Sequence, residues 1–168
     1  PVEIELPWTA EVRPGFAVIT AGRFLYGGDP LDDEGQPPRA AKLPTFQIGV
    51  HPVTCLEYHA FLDTLGGEPE SQASRSPRMG ANGAPLWGSE GQRRFGGFSP
   101  HRPVTGISLA DAHTYAQWRG RVEGVAYRLP TSAEWEKSAR GVDGRAWPWG
   151  ERVEPAFCRG ERYALHDV

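Results

Sequence analysis

The chain is poor in cysteine, lacks a long apolar run and has only a small net charge. Its two cysteines, Cys55 and Cys158, lie far apart in the sequence, which predicts unpaired, partly buried thiols in a reducing compartment. A disulfide between them stays possible on geometric grounds. No apolar run approaches the roughly 20 residues that a membrane-spanning helix needs, and a net charge of −3 favours neither nucleic acid nor a membrane surface as a partner. We therefore expect a cytoplasmic protein with no membrane span and no nucleic-acid partner.

Glycine and proline are abundant, with 21 and 16 residues among 168, and this composition predicts a loop-rich domain with short elements. Six tryptophans and seven phenylalanines supply enough large apolar surface for one core. The chain begins without Met, and Val2–Leu6 alternates apolar and acidic residues, like an edge strand or the last strand of a preceding domain. We expect residues 1–15 to be a linker or the end of such a domain, and residues 16–168 to form the domain proper within a longer polypeptide.

The first part of the domain is predicted to be β-structure. Residues 16–28 have the pattern of two short strands with a hinge at Ala21-Gly22. Residues 29–42 are polar and contain adjacent prolines, which predicts an exposed loop. Residues 43–50 alternate again, so we expect a strand that places Phe46, Ile48 and Val50 on one face.

Three helices are predicted, because a capping residue is followed three positions later by an acid at three places. The pairs are Thr54 with Glu57, Ser108 with Asp111, and Thr131 with Glu134. Glycines predict where the helices end, since glycine favours the left-handed conformation that terminates a helix. These are Gly66-Gly67, Gly120 and Gly141.

The third helix and the residues after it contain three tryptophans that we expect to be structural. Trp135 and Ala139 are four positions apart, which predicts that both lie on the buried face of the helix. Residues 147–150, Trp-Pro-Trp-Gly, predict an aromatic hairpin or loop. No acid, base or metal-binding set flanks these tryptophans, so packing is a better interpretation than catalysis.

A long segment without periodicity, residues 66–103, connects the first two helices. Segments of this length inside a compact domain are uncommon, and they are usually functional or disordered. Its arginines and aromatic rings permit two interpretations: a groove for an anionic or extended ligand, or a solvated loop anchored to the core by its aromatic rings. The candidate binding residues are Arg75, Arg78, Trp87, Arg93, Arg94 and Phe95, and Arg102 and Phe98 belong to the same segment.

Several ordered motifs resemble one known family. Residues 127–141 and 147–150 resemble the signature of the formylglycine-generating-enzyme or sulfatase-modifying-factor family. Residues 21–24, 48–61 and 101–112 resemble other segments of the same family in the same order. The resemblance implies an α+β domain with a variant of the C-type-lectin-like fold, with short strands, about three short helices and many loops.

The same resemblance separates the fold from the chemistry. Formylglycine-generating enzymes oxidise a substrate cysteine with copper and oxygen, and they use two nearby cysteines in the C-terminal part of the domain. Residues 163–168 resemble the run that directly precedes that part, so the resemblance implies an incomplete domain. Cys55 and Cys158 match no catalytic position. No catalytic residue, metal ligand or cofactor is therefore assigned to this chain, and copper and calcium are implied only for full family members.

Two functional hypotheses follow. The first is a non-catalytic binding or regulatory module of a larger bacterial protein, with an unidentified protein or small ligand as its partner. Such a module resembles the domains attached to serine/threonine kinases, so a kinase domain upstream is part of this hypothesis. The second is a fragment of a copper-dependent formylglycine-generating oxidoreductase that acts on sulfatase cysteines.

Overall fold

The computed structural model describes residues 11–28, 35–65, 74–79, 83–87, 94–97, 99–152 and 154–157. It divides into two compact units: the first unit is residues 1–48 with 130–168, and the second unit is residues 49–129. The strands are β1 (Phe16–Ile19), β2 (Gly22–Tyr26), β3 (Arg39–Leu43) and β4 (Phe46–Gly49). The α-helices are α1 (Cys55–Thr64), α2 (Leu109–Glu123) and α3 (Ser132–Arg140), and two short 3-10 helices cover Arg94–Gly97 and Pro155–Phe157. None of the helices in the described ranges is long and apolar enough to cross a membrane.

The strands form two small two-stranded sheets, in which β1 pairs with β4 and β2 pairs with β3. The β2–β3 pair is antiparallel, with Phe24 opposite Ala41 and Tyr26 opposite Arg39. The guanidinium of Arg39 lies 5.0 Å from the centre of the Tyr26 ring, so a cation–π contact supports this register.

Strand β3 corrects the prediction of an exposed loop over residues 29–42. The polar residues and prolines gave no strand pattern in the sequence. The strand forms because its backbone pairs with β2, and an apolar face is not what defines it. Residues 29–34 of the predicted loop lie outside the described part of the chain. The strand predicted over residues 43–50 is shorter, since β4 ends at Gly49 and Val50 is exposed.

Helix α3 of the first unit buries a polar face. Its buried residues are Glu134, Lys137 and Arg140, whereas Trp135 is 62% exposed. The prediction that Trp135 is buried was wrong. The helix is placed by hydrogen bonds from charged side chains to backbone groups of distant segments, and the indole lies on the opposite side. The aromatic hairpin is confirmed, since Trp147 and Gly150 exchange backbone hydrogen bonds of 2.8 and 3.0 Å.

The second unit has an aromatic core between α1 and α2. Tyr58, Phe61 and Leu62 of α1 and Tyr115 of α2 are all buried and form one cluster. The Phe61 ring lies 5.8 Å from the Tyr115 ring in an edge-to-face arrangement, which is a favourable geometry for aromatic pairs. The three/four spacing of the α1 residues in this cluster places them on one face of the helix, toward α2.

The predicted helix starts are confirmed. Thr54 and Thr131 are N-caps in extended conformation, and each forms a complete capping box with the acid three residues later. Ser108 caps α2 by accepting a hydrogen bond from the Asp111 backbone N–H. The predicted end of α1 at Gly66-Gly67 lies outside the described residues.

The predicted end of α2 at Gly120 was wrong, because the helix continues to Glu123 and ends at Gly124 with φ of 67°. Gly120 is needed for another reason: the backbone N–H of Val125 donates to the Gly120 carbonyl at 3.0 Å. A Cβ at position 120 would lie 2.5 Å from the Val125 carbonyl oxygen. The glycine therefore permits the chain to turn back closely against the helix.

Candidate functional site

Arg75, the first candidate binding residue, is held by the second unit's helices. Its guanidinium donates to Asp111 at 2.7 Å and to Thr114 at 3.4 Å. Its backbone carbonyl accepts a hydrogen bond of 3.0 Å from the Tyr58 hydroxyl. Burial, with the Asp111 charge as a smaller cause, raises the pKa of Tyr58 well above its usual range, so this hydroxyl stays a donor. Arg75 thus connects its loop to both α1 and α2.

Trp87 and Phe95 are brought together beside α1. Their ring centres are 5.1 Å apart, nearly perpendicular, and the His59 ring stacks on Trp87 at 6.0 Å. His59 also faces Phe95 at 5.5 Å and pairs with Asp63 at 3.0 Å. Phe95 is buried, with a positive φ of 65°. These two rings anchor parts of the long segment to the second unit's core.

Two other arginines of the candidate set, Arg78 and Arg94, are located by their backbones. The Arg78 backbone N–H donates to the Gly106 carbonyl at 2.7 Å, and Arg78 forms an isolated bridge with Pro85. Arg94 begins a short 3-10 helix, and Arg93 lies outside the described residues. The structure therefore brings Trp87 and Phe95 together and places Arg75 in an ion pair. Ligand binding by this set stays a prediction.

A cavity of about 160 Å³ lies next to Trp87 in the second unit. Among the described residues, three separate segments line it: the first turn of α1, residues 86–87, and residues 102–105. The lining residues are Cys55, Leu86, Trp87, Arg102, Pro103 and Thr105. Trp87 is a candidate residue from the sequence and Arg102 belongs to the same segment. Cys55 and Thr105 were missed, since no sequence spacing links these segments.

Cys55 is an unpaired and buried thiol in this wall. Its sulfur lies 3.8 Å from the Pro103 carbonyl oxygen, to which the thiol donates. Burial raises the pKa of the Cys55 thiol, and the nearby Arg102 charge opposes this only in part. A protonated thiol is a poor nucleophile and a poor metal ligand. Cys158 lies outside the described residues.

The signature segment of α3 builds a polar network in the first unit. Glu136 accepts a hydrogen bond of 2.7 Å from the Gly27 N–H, and Arg140 donates to the Gly27 carbonyl at 3.2 Å. Arg140 also donates to the Gly144 and Arg145 carbonyls at 2.8 and 2.6 Å. These side chains satisfy backbone groups that would otherwise be buried without partners. The network therefore holds α3 against Gly27 and against residues 144–145.

Lys137 extends the same network to the start of β2. Its amine donates to the carbonyls of Thr20 and Gly22 at 2.6 and 3.3 Å, and it lies 5.7 Å from the Phe24 ring centre. Burial lowers the pKa of Lys137. The amine is engaged with main-chain oxygens of its own unit, so it too holds α3 on the sheet.

The donors in the described ranges do not fit copper. Copper(I) is selected by soft thiolate or thioether ligands, and Cys55 is a single buried thiol whose pKa is raised. Within those ranges, no group of three or more His, Cys, Asp and Glu side chains could hold a metal ion. No step through a metal is therefore derived from these residues.

Comparison with known proteins agrees with the fold and the motifs. The family model described as "Sulfatase-modifying factor enzyme 1-like domain" matches residues 5–164. Among solved structures, PvdO from Pseudomonas aeruginosa superimposes with a TM-score of 0.58 at 24% identity, over 83% of this chain and 52% of that one. This similarity shows the fold alone. The chain is an α+β domain, and it belongs to the formylglycine-generating-enzyme, or sulfatase-modifying-factor, family.

Curated relatives have different names and different lengths. The chain is 32% identical to the formylglycine-generating enzyme of Thermomonospora curvata over 86% of this chain and 55% of that protein. It is 33% identical to the hercynine oxygenase of Mycolicibacterium smegmatis, with coverage of 82% and 36%. It is 35% identical to the serine/threonine-protein kinase Pkn1 of Chlamydia trachomatis, with coverage of 81% and 21%. The chain thus spans between 21% and 55% of the length of these relatives.

Proposed function

We propose that this domain is a non-catalytic binding module within a longer bacterial protein, and that it binds a small ligand or a protein partner through its second unit. The observation that supports this most directly is the state of Cys55. It is buried and unpaired, and burial raises its pKa. The thiol chemistry of a copper oxidase requires close thiolates. Cys55 is instead an unpaired thiol whose raised pKa favours the protonated form.

The contacts made by side chains of the family signature support the same proposal. Glu136, Lys137 and Arg140 are engaged with backbone groups of the first unit. The motif therefore positions a helix. A fold of this kind offers a scaffold for loops, and binding residues are commonly found on such loops.

The partner proposal includes a covalently linked serine/threonine kinase domain upstream. Similarity to Pkn1, of which the chain covers 21%, supports the idea that such a domain occurs as part of a longer kinase. In that arrangement, the domain binds a ligand or protein and regulates the attached catalytic domain. A cytoplasmic location belongs to the same proposal, because an unpaired thiol such as Cys55 is typical of reducing compartments.

The alternative is an oxidoreductase that acts on sulfatase cysteines. Similarity to a formylglycine-generating enzyme at 32% identity over 86% of this chain favours it. In this alternative, the copper-binding thiolates belong to chain outside the 168 residues.

The two proposals are separated by copper binding and thiol consumption. The protein with its natural ends is titrated with copper(I) against a chromophoric chelator, and it is then incubated in air with a cysteine-containing peptide. The binding-module proposal predicts no stoichiometric copper(I) binding and no loss of peptide thiol. The matched control is Cys55→Ser, which should behave like the parent in both assays.

Stoichiometric copper(I) binding together with consumption of the peptide thiol would overturn the proposal in favour of the oxidoreductase. If both persist in Cys55→Ser, the reactive thiolates lie elsewhere in the protein. If both are lost in that variant, Cys55 itself is a ligand and the assignment of a protonated, buried thiol is wrong.

A further inference from the structure

The cavity beside Trp87 is formed by backbone contacts that fix its walls. The Cys55 N–H donates to the Arg102 carbonyl at 2.9 Å, and the Val104 N–H donates to the Val53 carbonyl at 2.9 Å. These bonds tie residues 102–104 to the start of α1. The Leu86 N–H donates to the Pro77 carbonyl at 2.8 Å, which fixes the backbone of Leu86 in the wall. A cavity with fixed walls requires little ordering when a ligand binds, and this favours affinity.

Most of the wall is apolar. Leu86, Trp87 and Pro103 present apolar surface, and a buried thiol such as Cys55 behaves as a small hydrophobic group. Trp87 is held by ring contacts with Tyr58 at 6.2 Å and with His59 at 6.0 Å, so its orientation is set by the core. The wall therefore suits the apolar body of a ligand.

The volume limits the size of that body. A closed apolar cavity of about 150 Å³ holds one benzene ring, and the cavity here measures about 160 Å³. One six-membered ring or a short branched chain fits.

Arg102 brings one positive charge to the cavity wall. Arg102 is an exposed residue in the wall, and its charge acts on the Cys55 thiol. None of the lining residues in the described part of the chain is acidic. A guanidinium has five N–H donors, so it can bind a carboxylate in addition to other partners. The Thr105 hydroxyl supplies a further polar group in the same wall.

We propose that this cavity binds a small monocarboxylic acid, with its apolar body against Leu86, Trp87 and Pro103 and its carboxylate paired with Arg102. The ligand class rests on the proposed function, because a binding module needs a ligand. The size of the cavity and the charge of Arg102 indicate the class of that ligand. Of the six candidate binding residues named from the sequence, Trp87 is the one that lines this cavity.

The test is a titration with benzoate, which has one ring and one carboxylate, followed by amide and indole shifts in two-dimensional NMR spectra of the labelled protein. We expect saturable shifts at the Trp87 indole N–H and at the Leu86 and Thr105 amides, at concentrations up to about 10 mM. Arg102→Gln should weaken the binding about tenfold, since it removes a charge-assisted pair. Benzyl alcohol, which has the same ring without the charge, should also bind about tenfold more weakly than benzoate.

The matched control is Arg121→Gln, which makes the same charge change at an exposed position of α2 away from the cavity lining. It should leave the benzoate affinity unchanged. Absence of saturable shifts at the three reporter groups would overturn the proposal, and so would equal affinity in Arg102→Gln or for benzyl alcohol. A failure here leaves the copper and thiol assays unaffected, so the ligand class and the binding-module function fail separately.

Discussion

Glu136 and Arg140, one turn apart on α3, are paired at 2.8 Å, and together they bind both polar atoms of the Gly27 backbone. The carboxylate accepts from the Gly27 N–H while the guanidinium donates to the Gly27 carbonyl. An ion pair on a helix surface usually contributes little to stability. This pair differs because both side chains are largely buried and because each also satisfies a backbone group.

Removal of the Arg140 guanidinium should be strongly destabilising. Arg140→Met leaves Glu136 without its ion-pair partner and removes the guanidinium that donates to the carbonyls of Gly27, Gly144 and Arg145. We expect a loss of about 3–5 kcal/mol in the free energy of unfolding, as for other broken buried pairs. Urea denaturation followed by circular dichroism measures it. Arg152→Met, at an exposed position of the same unit, should change it by less than about 0.5 kcal/mol, and equal effects of the two would contradict the network.

Truncation of Trp135 should be tolerated. The indole is 62% exposed and the buried face of α3 is on the other side, so Trp135→Ala should cost less than about 1 kcal/mol. Phe61→Ala, in the core of the second unit, should cost about 3–5 kcal/mol. Thermal denaturation of both variants gives the comparison. A Trp135→Ala loss as large as that of Phe61→Ala would show that the indole is buried after all.

Replacing Gly120 with alanine should lower the stability of the protein, whereas the same replacement inside a helix usually raises it. Gly→Ala inside a helix ordinarily stabilises by about 0.5–1 kcal/mol. Here the added Cβ would lie 2.5 Å from the Val125 carbonyl oxygen, so Gly120→Ala should destabilise by more than about 1 kcal/mol. Equilibrium denaturation measures the change. Gln117→Ala on an exposed position of α2 is the control, and a stabilised Gly120→Ala would refute the close turn.

Lys137 gives a pH dependence with a defined sign. Burial lowers its pKa in the folded protein below the ordinary value of 10.5. The unfolded chain therefore binds more protons between these two pKa values, and stability contributed by this group rises with pH across that window. We expect the difference in unfolding free energy between the parent protein and Lys137→Met to grow as the pH approaches 10.5. Parallel denaturation series at several alkaline pH values measure it, and a constant difference would mean that the pKa is not lowered.

The helix starts were predictable because they depend on neighbouring residues in the sequence. The features that were not predicted depend on contacts between residues far apart in the sequence. Thr54 and Thr131 were identified as N-caps because a capping box is a property of four consecutive residues. Trp135 was misplaced because periodicity arguments assume that the buried face is apolar. The burial of Lys137 depends on the carbonyl of Thr20, which is 117 residues away in sequence, and no spacing within the helix contains that information.

The cavity shows the same limit for the candidate site. Trp87 and Arg102 came from one unusual segment, which its length and composition made conspicuous. Cys55 belongs to the wall because the Cys55 N–H bonds to the Arg102 carbonyl, and a helix pattern around Thr54 does not reveal this contact. Strand β3 was missed for a related reason, since pairing with β2 rather than an apolar face defines it.

The division of the chain into units also has a consequence for the order of folding. The second unit is continuous in sequence, whereas the first unit joins residues 1–48 to residues 130–168. Closing so long a loop costs conformational entropy before any contact between β2 and α3 is gained. We therefore expect the second unit to form first, even during synthesis, and pulse-labelled hydrogen exchange should show protection of α1 amides before the Gly27 amide. Simultaneous protection of both would mean that the two units fold as one.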